Sequence, residues 1–98
     1  MVKTRRLDIA ELLETDADIA EFLTEAVREG SGENFIHALG IAARARGMSD
    51  IAKKAGVTRA SLYKSLSLGG NPEFETISRV CAALGVRLVP ETMAAQTV

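Results

Sequence analysis

Cysteine and histidine, which supply disulfides and many metal sites, are almost missing from this chain of 98 residues. The single cysteine, Cys81, cannot form an internal disulfide, and the single histidine, His37, belongs to no cluster of metal ligands. A chain without disulfides is typical of a reducing compartment. We therefore expect a cytoplasmic protein that holds no metal.

Long apolar runs are missing too. None approaches the ~20 residues that a helix needs to cross a bilayer, so we expect no membrane partner. The amino-terminal segment carries positive charge but reaches acidic residues at Asp8 and Glu11, and it lacks the apolar stretch of a secretory signal. With 47% hydrophobic residues the chain is not disordered, and its length fits one small domain with a single core.

Patterns that support catalysis are also absent. Gly69 and Gly70 precede an Asn-Pro pair rather than the Gly-Lys-Ser/Thr of a phosphate-binding loop. His37 has no nucleophile motif beside it, which favours a partly exposed helix residue. Cys81 lies on an apolar stripe, which favours a buried structural thiol over a reactive one. We expect neither an enzyme nor a bound cofactor.

Charge is distributed unevenly along the chain, although the net charge is only −1. Residues 1–43 contain four basic and nine acidic residues, a net charge of −5, whereas residues 44–88 contain eight basic and three acidic residues, a net charge of +5. The basic half can neutralise phosphates. The acidic half fits a cationic partner, although acidic helix faces are also common as plain solvated surface.

Apolar residues recur at helical spacing along almost the whole chain, which predicts an all-α domain of five to six helices. Asp8 can cap a short first turn, Thr15 or Asp16 begins a helix that ends at Gly30, and the next helix runs from Ser31 to about residue 46. The side chains that these patterns and that of the last helix place in the core are Ile9, Leu12, Leu13, Ile19, Phe22, Leu23, Ala26, Val27, Phe35, Ile36, Leu39, Ala43, Phe74, Ile77, Val80, Cys81 and Leu84.

The carboxy-terminal part contains a strong helix start. Asn71 can cap a helix whose first residue is Pro72, and this helix ends at Gly85. The alternation in residues 86–89 allows one short strand, which would need a partner such as the same strand of a second subunit. We divide the single compact domain into an acidic region, 1–43, a second region, 44–90, and a frayed tail, 91–98.

Residues 49–66, SDIAKKAGVTRASLYKSL, contain two short helical patterns that meet at Gly56. Ser49 is placed to cap the first pattern and Thr58 the second, and a glycine between them can adopt a positive φ. The residues predicted to face inward are Ile51, Ala52, Ala55, Val57, Leu62 and Leu66; those left outside on the second helix are Arg59, Ala60, Ser61 and Lys64.

This arrangement is how a helix-turn-helix presents its recognition helix to the major groove of DNA. The alternative is a helical hairpin of an ordinary all-α core, in which Arg59 and Lys64 are solvated charges. The small residue Ala52 and the glycine at the turn favour the helix-turn-helix, because they let two helices cross closely. Tyr63 fits two roles: its hydroxyl can reach a phosphate, or its ring can cover the rim of the core.

The segment ALGIAARARGMSDIAKKAGVTRASLYKSLSLGGNPEFETISRVCAALGVRL resembles the probable addiction-module antidote proteins. These are antitoxins with a helix-turn-helix of the Cro/repressor type, and RARGMS, AGVTRASLYKSLS and GNPEFETI carry the resemblance. The acidic segment LDIAELLETDADIAEFLTEAVREG resembles the amino-terminal region of the same family. The resemblance therefore covers about residues 7 to 89 and implies a lambda-repressor-like fold.

The resemblance implies an antitoxin that neutralises a small basic toxin, commonly of the RelE/HigB-like class that cleaves messenger RNA, and that represses its own promoter as a homodimer. By matching motif positions, it implies two sets of contacts to double-stranded DNA: Thr58, Arg59, Ala60, Ser61 and Lys64 in the groove, with Ser49 and Lys53 near the backbone. The acidic region becomes the candidate surface for the toxin, on the basis of charge.

The sequence departs from generic repressor domains in one respect. The first helix of the helix-turn-helix is two residues shorter near its start at Gly47. Two other functions stay open: a free-standing Cro/repressor-type regulator without a toxin, and a helical interaction module that has lost DNA binding. A neighbouring gene for a small basic protein distinguishes the first of these from an antitoxin, and a promoter titration tests the second.

Overall fold

The computed structural model describes residues 9–67 and 69–93, and within these ranges it is all-helical, with no strand. After a 3₁₀ turn at Ile9–Leu12 come five helices: α1 (Asp16–Arg28), α2 (Gly32–Arg46), α3 (Met48–Ala55), α4 (Arg59–Ser65) and α5 (Phe74–Ala83). The predicted all-α class is thus confirmed. The proposed cap at Asp8 lies outside the described residues.

Helix α3 lies at the centre of the domain. It contacts α2, α4 and α5, whereas α1 packs mainly on α2. Its apolar side is buried almost completely through Met48, Ile51, Ala52 and Ala55. Helices α1 and α4 are therefore attached mainly to different helices, α1 to α2 and α4 to α3.

The amino-terminal helices begin and end close to where their signals predict. The Thr15 hydroxyl accepts a hydrogen bond from the Asp18 N–H, and the Asp18 carboxylate accepts one from the Thr15 N–H, which is a capping box. Ser31 caps α2 through its hydroxyl alone, which accepts a hydrogen bond from the Asn34 N–H at 3.2 Å. Helix α2 ends at Arg46, as predicted.

The last helix starts later than predicted. Asn71 and Pro72 do not begin it, because the backbone remains extended at Glu73, with φ −67° and ψ 156°, and α5 begins at Phe74. The first turn lies beyond the core, so Phe74 is 70% exposed, and its predicted burial is wrong. Val80, Cys81 and Leu84 are buried as predicted.

Three other apolar side chains were wrongly placed in the core by their spacing. Ile9 and Leu12 are exposed although the 3₁₀ turn lies against α2, because the apolar side chain of this segment that enters the core is Leu13, just after the turn. Val27 is 47% exposed because it lies at the edge of the stripe formed by Leu23 and its neighbours. Residues 86–89 form no strand within the described chain, where no segment pairs with them.

Candidate nucleic-acid interface

The turn between α3 and α4 is set by Gly56, which has a φ of 77°. The N–H of Gly56 donates to the carbonyl of Lys53 at 3.2 Å, and the N–H of Val57 donates to that of Ala52 at 3.0 Å. These two bonds form a Schellman motif, which ends α3 and redirects the chain. Half-buried Val57 then packs against the core, as its predicted inward position requires.

Helix α4 begins at the predicted residue. Thr58 is extended at φ −78° and ψ 155°, and its hydroxyl accepts a hydrogen bond from the Ser61 N–H at 3.0 Å. The predicted cap is therefore confirmed. The turn of three residues, 56–58, fits the short connection of a helix-turn-helix.

The two sides of α4 differ sharply in burial. Leu62 is fully buried and Leu66 is 5% exposed, so this side holds the helix on the core. The side chains predicted to face outward are all exposed, as is the capping residue: Thr58, Arg59, Ala60, Ser61 and Lys64. By helical spacing, Ala60 and Lys64 lie opposite Leu62, Ser61 lies on one flank and Arg59 lies on the other.

Helix α3 supplies the other two candidate residues. Ser49 and Lys53 are exposed and four residues apart, so they share a face. Ser49 does not cap the helix, contrary to the prediction. Gly47 takes a φ of 102° and forms the cap without a side-chain bond, because this conformation lets the helix begin at Met48, which is buried.

Ion pairs neutralise several cations around this region but spare the candidate contacts. Lys54 pairs with Asp50 at 3.2 Å, Arg79 pairs with Glu75 at 2.9 Å, and Arg46 pairs with Asp16. By contrast, within residues 9–67 and 69–93 no ion pair involves the other three cations of α3 and α4, namely Lys53, Arg59 and Lys64. Their charges stay available for phosphate.

Two glycines let other segments approach α4 closely. A Cβ atom on Gly40 of α2 would lie 3.2 Å from the carbonyl oxygen of Leu66. One on Gly70 would lie 2.8 Å from the carbonyl oxygen of Lys64 and would overlap that of Ser65. The carboxy-terminal end of α4 is therefore held between α2 and the loop that follows.

Tyr63 is a residue that the list of expected contacts left out. Its side chain is 51% exposed, and it lies four residues after Arg59 on the same flank of α4. This position agrees with both roles considered for it from the sequence. The sequence does not reveal how exposed the ring of Tyr63 is, because a tyrosine next to a buried leucine can be either covered or exposed.

Acidic residues form a stripe along α1, on the side opposite Leu23. Asp18, Glu21 and Glu25 follow one another at spacings of three and four residues. Glu21 and Glu25 form no ion pair with any residue that the structure describes. Hydrogen bonds from the backbone N–H groups of Thr15 and Glu14, both 3.1 Å long, lower the pKa of Asp18 below its usual 3.8.

The remaining polar and titratable features of the described chain lie away from the α3–α4 pair or in ion pairs. No group of three or more potential metal ligands occurs among the described residues. An open cleft of about 500 Å³ lies between α3 and the ends of α1 and α5, but its charged side chains are those of the Asp16–Arg46 and Asp50–Lys54 pairs. Burial raises the pKa of Cys81 to about 11, so its thiol stays protonated at neutral pH. His37 is exposed on α2.

Among the helices of the described residues, none combines the length and the apolar character that crossing a bilayer requires.

Comparisons with known proteins connect the whole architecture to one family. The family model of the probable addiction module antidote proteins matches residues 3–92. A protein of Haemophilus influenzae, described as uncharacterized, is 45% identical over 80 residues, which cover 82% of each chain. No solved structure matches the chain. The match spans the acidic helix, the α3–α4 pair and α5 together, and the chain belongs to the family of probable addiction module antidote proteins.

Proposed function

We propose that this chain is the antitoxin of a type II toxin–antitoxin module, which acts by binding and not by catalysis. As a homodimer in the cytoplasm, it binds its promoter through α3 and α4 and neutralises a cognate toxin of the RelE/HigB-like class. The family supports an antidote role. DNA binding, the toxin class and the dimer are the further steps of the proposal.

The observation that carries the DNA-binding step is the combination of geometry and free charge on α4. A capped helix follows a three-residue turn, buries Leu62, and exposes Arg59 and Lys64 without an ion pair among the described residues. In the proposal, Thr58, Arg59, Ala60, Ser61 and Lys64 enter the major groove, while Ser49 and Lys53 contact the backbone. Tyr63 joins them as a contact to phosphate.

The toxin-binding step rests on the acidic stripe of α1. Its carboxylates face away from the core, and α1 packs on α2 rather than on the helix-turn-helix. A basic toxin bound there would leave α4 free for DNA. The proposal therefore assigns region 1–43 to the toxin and region 44–90 to the promoter, within one domain.

The DNA-binding step is tested by titrating a labelled fragment of the promoter of this chain's own gene at several salt concentrations. We expect affinity to fall as salt rises, because cationic side chains that replace phosphate counterions release them. Arg59→Ala/Lys64→Ala should weaken binding strongly, whereas the matched variant Arg79→Ala, which removes a cation that is already paired, should change it little. Absence of binding by the unaltered chain at moderate salt would contradict this step.

The toxin-binding step is tested by co-expression with the small basic protein encoded by the neighbouring gene. The unaltered chain should restore growth, and Glu21→Lys/Glu25→Lys should not, because like charges would face each other. Promoter binding without any effect on the neighbour's toxicity would favour the free-standing Cro/repressor-type regulator. Neutralisation without promoter binding would favour the helical interaction module.

A further inference from the structure

The chain after α5 is an extended segment with nothing paired to it. Gly85 ends the helix with a φ of 84°, and the N–H of Val86 donates to the carbonyl of Cys81 at 2.9 Å. Residues 86–93 then continue without helix, turn or bend. Within the described chain, no hydrogen bond involves the backbone N–H and C=O groups of residues 87–93.

Burial along this segment alternates in the manner of a strand that lies on a core. Val86 is half-buried and packs against the core, and Leu88, at 37% exposed, is much less exposed than Val89. Arg87 is exposed and Val89 is 69% exposed, so the other side faces away. An unpaired extended edge with an apolar residue turned outward is a template for another strand.

The sequence of this edge is complementary to itself when two copies run antiparallel about a two-fold axis at Val89. Arg87 then lies opposite Glu91 of the second copy, and Glu91 opposite its Arg87. Val89 lies opposite Val89 on the same face. One central apolar pair is thus flanked by two pairs of opposite charge.

Pro90 fits pairing through the edge formed by the odd-numbered residues 87, 89 and 91 and not through the opposite edge. Opposite residues in an antiparallel ladder alternate between pairs that exchange two hydrogen bonds and pairs that exchange none. If the Val89 pair and the Arg87–Glu91 pairs are hydrogen-bonded, then Pro90 and Leu88 form a pair that is not. The missing N–H of proline therefore costs no bond there. Pairing through the opposite edge, with the even-numbered residues bonded, would place the proline in a bonded pair. The opposite charges of Arg87 and Glu91 then select the register about Val89.

We propose that this edge is the site where a second copy of the chain docks, by antiparallel pairing of residues 87–91 about Val89. The inference rests on the homodimer of the proposed function and assigns its surface and register. The pair between Arg28 and Glu91 within one copy spans 3.4 Å with both side chains about 60% exposed, so it is weak and Glu91 can exchange partners.

Cross-linking tests the register directly. In the Val89→Cys variant the two new thiols would lie on Cα atoms about 5.5 Å apart, within the range of a disulfide, and mild oxidation should give a covalent dimer. In the matched Thr92→Cys variant they would be about 20 Å apart, and no cross-link should form. Native Cys81 is buried and present in both variants. Equal cross-linking of the two variants, or none in Val89→Cys, would overturn the register.

Charge reversal tests the partner of Glu91. Analytical ultracentrifugation should show at least about tenfold weaker dimerisation for Glu91→Arg and recovery in Arg87→Glu/Glu91→Arg, because only a partner across the axis is restored by the exchange. Arg28→Ala should leave the dimer intact. A double variant as weak as the single one, or a strong loss in Arg28→Ala, would overturn the pairing.

A promoter titration on the same samples separates the two proposals. If the unaltered chain is a dimer that binds the promoter but the Val89→Cys variant forms no cross-link, the docking edge is wrong and the proposed function stands. If it cross-links through Val89→Cys but never binds the promoter, the edge stands and the DNA-binding function is wrong.

Discussion

Helices α1 and α4 both follow a threonine whose hydroxyl accepts a hydrogen bond from the backbone N–H three residues later. Each also buries a leucine against the shared core, Leu23 in α1 and Leu62 in α4. Their outer faces differ: α1 presents carboxylates and α4 presents an arginine and a lysine. The shared features are those that stabilise the fold, so the difference in charge is where function is expected.

The largest effect should come from placing an aspartate on each of the two sides of α4 in turn. Leu62→Asp should destabilise the domain by about 4 kcal/mol or unfold it, because an unpaired carboxylate would enter the core. Lys64→Asp, on the opposite side of the same helix, should leave the melting temperature nearly unchanged and abolish promoter binding. Thermal melts followed by circular dichroism check both, and equal stability of the two variants would contradict the assignment of faces.

The close approach at the end of α4 predicts a smaller loss. Gly70→Ala should cost about 2 kcal/mol, since its Cβ would overlap the carbonyl oxygen of Ser65 and the backbone would have to move. Gly32→Ala is a matched control: its Cβ would meet nothing within 4 Å, and we expect a neutral or slightly stabilising effect. Urea unfolding measures both, and similar midpoints would show that the loop does not constrain α4.

Outer-face variants should separate the functions of the two helices without changing stability. Arg59→Ala should cost ~1–3 kcal/mol of discrimination between promoter sequences if the arginine reads a guanine, and Lys64→Ala should reduce the salt slope of binding by about one. Glu21→Ala on α1 should change neither the discrimination between promoter sequences nor the salt slope of promoter binding. Fluorescence titrations at several salt concentrations give these quantities, and a loss in Glu21→Ala as large as in Arg59→Ala would erase the distinction.

The two caps predict the smallest effects. Thr58→Ala should destabilise the domain by about 1 kcal/mol and Thr58→Ser by much less, as measured by urea unfolding. The expected order would be wrong if serine were no better than alanine at this position.

The cap of α1 adds a dependence on pH that α4 lacks. Because the folded-state pKa of Asp18 is lowered, its carboxylate contributes stability above the unfolded-state value near 3.8, and this contribution is lost as the pH falls through the lower folded value. Acid unfolding of Asp18→Asn should therefore depend less on pH in this range than that of the unaltered chain. Identical acid-unfolding curves would contradict the role of the capping box.

Local signals sufficed for much of the fold and of the candidate site. The caps at Thr15, Ser31 and Thr58 and the turn at Gly56 depend on chemistry within a few residues, so the sequence predicts them correctly. The outward set on α4 follows from helical spacing once Leu62 is placed inside.

The errors arose where distant packing decides the outcome. Phe74 has the right spacing for the core but lies past the edge of the core. The predicted helix start at Pro72 is not used, and the loop just before it, at Gly70, lies close against α4. Neither contact can be read from neighbours in sequence. At Ser49 the sequence offers a suitable cap that the structure does not use, because α3 already begins at Met48 with Gly47 as its cap.

The most direct test of the central claim combines two variants with two partners. Promoter fragment and purified neighbouring protein are each titrated with Arg59→Ala/Lys64→Ala and with Glu21→Gln/Glu25→Gln. We predict that the first variant loses the promoter and keeps the protein partner, and that the second loses the protein partner and keeps the promoter. If either variant lost both partners while remaining folded, the two faces would not be separate binding surfaces.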